Sequence, residues 1–80
     1  MAGLSAASNL LAPAYYLLVE QGFSVRYESA QSWWIAEKDD IRLLAYDPIE
    51  LCGLAFIQEK KGEEWAASDE AIEAFLKLEQ

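Results

Sequence analysis

The sequence predicts a small α+β domain, in which a three-stranded antiparallel meander packs against helices in the order α-β-β-β-α-α. Three observations carry that expectation: an apolar run at helical spacing between residues 9 and 21, three segments of alternating polarity between residues 23 and 46, and two capped helical patterns after residue 47. At 80 residues the chain has room for one core, so residues 1–80 are expected to form one domain, with residues 1–8 only loosely held. Chains of this size bury only ~60–65% of their unfolded surface, and self-association is a common source of extra support.

The first helix is placed from about Asn9 to Gln21 in "NLLAPAYYLLVEQ", with Ser8 or Asn9 as its cap and Gly22 as its stop. Pro13 fits the first turn, where its missing N–H costs nothing. Leu11, Ala14, Tyr15 and Leu18 share one face, and Leu10, Leu17 and Val19 widen the apolar arc.

In "FSVRYES", Phe23, Val25 and Tyr27 alternate with Ser24, Arg26 and Glu28, the pattern of an edge strand with one wet face. "WWIAE" and "IRLLAY" read as a hairpin around "KDD". A two-residue loop at Lys38–Asp39 or at Asp39–Asp40 yields the same two faces. Trp34, Ala36, Ile41, Leu43 and Ala45 lie on one, and Trp33, Ile35, Leu44, Tyr46 and Arg42 on the other.

"DPIELCGLAFIQEKKG" is a helix signature, with Asp47 as cap, Pro48 in the first turn, and Lys60, Lys61 and Gly62 at the end. Ile49, Leu51, Cys52, Leu54, Ala55, Phe56 and Ile57 surround it on all sides, which predicts the most buried helix, and Gly53 predicts a close backbone approach. The last helix is capped by Ser68, with Asp69 and Glu70 in its first turn and Ile72, Phe75 and Leu76 expected to face inward.

The order helix, three antiparallel strands, helix over residues 9–62 resembles the topology of double-stranded RNA-binding domains. Those domains grip phosphates with basic residues at the start of the second helix, where this chain has "DPIELCG" with two acids and no base. The resemblance therefore implies fold order and no RNA-binding function.

Composition narrows the function classes further. Fourteen acidic residues against six basic give a net charge of −8, which repels nucleic-acid backbones and anionic membranes and favours basic partner surfaces. The apolar run Leu10–Val19 is too short to span a bilayer, no basic residue precedes Arg26, and one lone cysteine fits a reducing compartment, so a cytoplasmic protein is expected. With no histidine and no thiolate-stabilising neighbour for Cys52, no catalytic residue, metal site or cofactor is expected. Asp39, Asp40 and Asp47 read as turn and cap residues, since no calcium-loop spacing accompanies them.

Two surfaces remain as candidates. Trp33 and Trp34 point to opposite sheet faces, and leaving one wet forgoes up to ~4–6 kcal/mol of burial. A helix on each face, a second copy of the chain, or a foreign partner or ligand would cover it. The preferred reading is a non-catalytic interaction module that self-associates as a homodimer through the hairpin face, with Trp33, Trp34, Ile35, Leu44 and Tyr46 as interface candidates. Glu63, Glu64, Asp69, Glu70 and Glu73 form a candidate acidic surface for a basic protein partner. The alternative is a small-molecule binding domain whose pocket is lined by Trp33 or Trp34 with Tyr15, Tyr16 and Trp65.

Overall fold

Helix α1 (Leu11–Glu20) leads into strands β1 (Ser24–Glu28), β2 (Trp33–Lys38) and β3 (Ile41–Ala45), followed by helices α2 (Pro48–Lys61) and α3 (Asp69–Lys77) in a computed structural model that describes residues 3–4 and 9–79. A 3₁₀ turn, Gly62–Glu64, follows α2. The strands form one antiparallel sheet in the order β1-β2-β3, so the fold is α+β with the element order expected. The expectation for residues 1, 2 and 5–8, including Ser8 as a cap, lies outside the described residues.

α1 begins later than its apolar pattern. Leu10 occupies the N-cap with no side-chain hydrogen bond, and Asn9 does not cap. Pro13 thereby falls at the third helical position, where its missing N–H is harmless. The other end closes as a Schellman motif: the Phe23 N–H bonds the Leu18 carbonyl and the Gly22 N–H bonds the Val19 carbonyl, both at 3.0 Å. Gly22 takes φ +97°, a conformation that a side chain disfavours, and this reversal delivers Phe23 to the core beside Leu18.

The hairpin register is Trp34↔Ala45, Ile35↔Leu44, Ala36↔Leu43, Glu37↔Arg42 and Lys38↔Ile41, which makes Asp39–Asp40 the two-residue loop. Asp39 has φ +54°, as such a tight turn requires. α1 and α2 both pack on one sheet face, where Leu18, Ala36, Leu43, Ala45 and Leu51 are the buried core and Trp34, Val25, Phe23 and Ile41 surround it. The helices are thus not divided between the two faces.

α2 starts as its sequence dictates. The Asp47 carboxylate accepts from the Glu50 N–H at 2.8 Å, and the Glu50 carboxylate accepts from the Tyr46 N–H at 2.8 Å. Its burial differs from the expectation. Pro48 and Leu51 are buried, but Leu54, Phe56 and Ile57 are exposed, because only two of its sides meet α1 and the sheet. Nothing lies within 4 Å of a Cβ built at Gly53, so no backbone approaches there.

α3 departs furthest. Ser68 caps it through a 3.1 Å bond to the Ala71 N–H, yet Ile72, Phe75 and Leu76 are 45%, 56% and 52% exposed and no residue of the helix is buried. Among the described residues the helix makes no extensive contact with another element. A radius of gyration of 14.6 Å, against about 12 Å for a compact domain of this length, agrees with a helix standing off the body.

Candidate functional site

The sheet face turned away from α1 and α2 carries Ser24, Arg26 and Glu28 from β1, Trp33, Ile35 and Glu37 from β2, and Arg42 and Leu44 from β3, with Tyr46 just beyond. Side chains of the sheet itself shelter part of it. Ile35 is only 1% exposed although it lies outside the main core, because Arg26 and Leu44 are its cross-strand partners and Trp33 and Glu37 flank it along β2. The Glu37 carboxylate accepts from the Arg26 guanidinium and lies 3.8 Å from Arg42 Nε. The hydrogen bond from Arg26 holds the Glu37 carboxyl below its ordinary range, and the same contact raises Arg26. The charges of the two arginines are thus shared by one acid.

At the other end of this face Trp33 stacks on Tyr46 with ring centroids 5.4 Å apart and planes 20° apart, and the Trp33 indole N–H donates to Gln31 Oε1 at 2.6 Å. Leu44 and Tyr46 remain 40% and 70% exposed. From here an open groove of about 400 Å³ passes over the β3 edge onto α2, lined by Trp33, Leu44, Tyr46, Gly53, Leu54 and Ile57. The β3 edge is poorly guarded: β1 presents Arg26 and Glu28, whereas Arg42 is the one charge in β3.

The interface candidates therefore separate. Trp33, Ile35, Leu44 and Tyr46 share the open face, whereas Trp34 lies on the covered one, edge-on to Tyr15 at 6.3 Å and tilted against Tyr27 at 5.4 Å. Successive strand residues point to opposite sides, so the pair had to split. The exposed residues of α2 were missed because its all-round apolar pattern reads as burial.

The aromatic residues expected to line a pocket converge only in part: Tyr16 and Trp34 each lie edge-on to Tyr15, at 5.0 Å and 6.3 Å between centroids. Tyr15 and Trp34 pack together in the core layer, Trp33 is on the far face, and Trp65 is 67% exposed beyond α2. A different cavity, about 500 Å³, opens between α1, α2 and the hairpin end, with Leu17, Phe23, Ile41 and Phe56 among its walls. At its mouth the Lys38 ammonium donates to the Gln21 carbonyl at 2.8 Å and sits 5.5 Å from the Phe23 ring centroid.

Cys52 faces α1, where its thiol donates to the Ala14 carbonyl at 3.4 Å, and burial raises its pKa. A thiol so held is a poor nucleophile. No group of three or more metal-ligating side chains occurs among the described residues, and none of their helices is long and apolar enough to cross a membrane. The acidic candidates all lie exposed, Glu63 and Glu64 in the 3₁₀ turn and Asp69, Glu70 and Glu73 on α3. No protein-family model matches the chain, and no curated protein or solved structure shows significant similarity to it.

Proposed function

We propose that the protein is a non-catalytic interaction module that self-associates through the open sheet face and the groove beside it. The observation that carries this reading is the wet apolar wall formed by Trp33, Leu44 and Tyr46, continuous with exposed Leu54 and Ile57 of α2. Contiguous apolar surface of this kind marks interaction sites. Charge favours a second copy as the occupant. Two chains of net −8 repel one another, but this face balances Arg26 and Arg42, the chain's two arginines, against Glu28 and Glu37. Here two copies meet with the least repulsion. The raised pKa of Cys52 argues against a thiolate nucleophile at that position.

Replacing Trp33 by Ala tests the proposal. Loss of the dimer on sedimentation, with the fold retained by circular dichroism, supports it. A dimer as stable as the wild type contradicts it.

A second reading, a small-molecule binding domain, is favoured by the cavity beside Lys38, where Leu17, Phe23, Ile41 and Phe56 form an apolar wall and Lys38, Gln21, Gln58 and Glu59 supply polar groups, a lining that suits an amphipathic ligand whose head meets Lys38. Decanoate raising the melting temperature supports this reading, and an unchanged melting temperature across fatty acids of increasing length removes it.

A further inference from the structure

The described residues present two apolar surfaces without a partner. One is the groove along α2 and the β3 edge, which no other element among the described residues covers. The other is the apolar stripe of α3, Ile72, Phe75 and Leu76, at the i, i+3, i+4 spacing with which helices fill grooves. Resting on the proposal of self-association, we infer that the segment of the second copy that fills the groove is α3, exchanged reciprocally between two chains.

Charge orders the two helices. Along α2 the groove runs from Glu50 to Ile57, and Lys60 and Lys61 follow in the last turn of the helix. α3 begins with Asp69, Glu70 and Glu73 and ends with Lys77. Antiparallel docking sets the acids of α3 beside Lys60 and Lys61 and its Lys77 beside Glu50, with the two helix dipoles opposed. The parallel arrangement sets acid against acid at one end and Lys against Lys at the other.

Gly53 fits this arrangement. It lines the groove, and open space surrounds the position of its absent Cβ, so an incoming helix can approach the α2 backbone there. A helix laid in this groove also covers the free edge of β3, a common way of protecting an exposed strand. Among the described residues of a single chain both surfaces stay open: its own α3, carried away by Gly62–Glu64 and the segment after it, makes no extensive contact with the body. Reciprocal exchange satisfies both surfaces twice under one two-fold axis.

Sedimentation of Phe75→Glu alongside Trp33→Ala tests the inference, together with disulfide trapping in a Cys52→Ser background. Phe75 is exposed, so its replacement leaves the fold of one chain undisturbed. Phe75→Glu is expected to weaken dimerisation at least roughly thirtyfold, the loss expected for a central anchor. Mixing Leu54→Cys chains with Phe75→Cys chains is expected to yield a disulfide-linked pair. A dimer unchanged by Phe75→Glu but lost in Trp33→Ala overturns the helix exchange and leaves self-association standing. A wild-type chain that stays single at every concentration overturns both. A Leu54→Cys/Phe75→Cys double variant that closes its disulfide within a single chain overturns the exchange, since α3 then covers its own body.

Discussion

Trp33 and Tyr46 lie face to face, 5.4 Å between centroids, across the end of the hairpin, and together they wall the groove that leads onto α2. Trp34, one residue further along β2, is half-buried and packs against Tyr15 and Tyr27 on the opposite side. Two adjacent tryptophans thus have separable roles. Trp34→Ala is expected to cost about 3 kcal/mol of folding stability by emptying part of the core layer. Trp33→Ala is expected to cost about 1 kcal/mol of folding stability through the lost stack and about 2 kcal/mol of dimerisation. Urea denaturation and sedimentation of both variants measure the two effects separately.

Glu37 sets a pH dependence. Its carboxyl is held below the ordinary range by the hydrogen bond from Arg26, then by the charges of Arg26 and Arg42. A depressed folded-state pKa contributes stability that is present above the unfolded value, about 4.3, and is lost as pH falls through the folded value. The site is exposed, so the effect is small. In Glu37→Gln the fall in melting temperature below about pH 4.3 is expected to be shallower than in the wild type. Thermal melts of the two proteins between neutral and acid pH check this.

Substitutions at the cap and in the interior of α2 are expected to have opposite signs. Asp47→Ala removes the acceptor for the Glu50 N–H and is expected to cost about 1 kcal/mol. Gly53→Ala, in open space within a helix, is expected to stabilise the single chain by up to about 1 kcal/mol. Under helix exchange the same substitution places a methyl group where α3 approaches, so it is expected to weaken the dimer while stabilising the monomer. Urea denaturation at low concentration and sedimentation at high concentration separate these contributions.

Cys52 donates to the Ala14 carbonyl in the seam between α1 and α2, and burial raises its pKa. It is expected to react with a disulfide reagent at neutral pH at least tenfold more slowly than the same thiol in urea. A native rate equal to the unfolded rate contradicts the placement.

The sheet was legible in the sequence because its signals are local and of period two: either hairpin loop gives the faces found, and Val25 and Tyr27 alternate with Arg26 and Glu28 as the edge strand requires. The ends of α2 and the start of α3 were legible because Asp47, Pro48, Gly62 and Ser68 each act within one turn of the helix. Burial was less so. The ring of apolar residues on α2 and the stripe on α3 record which surfaces avoid water, and not whether the cover comes from the same chain. Leu54, Ile57, Ile72 and Phe75 were therefore expected inside and are found outside. The start of α1 shifted because Asn9 makes no cap, and Leu10, with no capping side chain, takes that place.

The solution mass of the 80-residue chain, measured by sedimentation equilibrium over a concentration series, tests the central claim most directly. Self-association through the open face requires a mass that rises toward twice the 9.0 kDa of one chain. A mass that stays at 9.0 kDa at every concentration contradicts it.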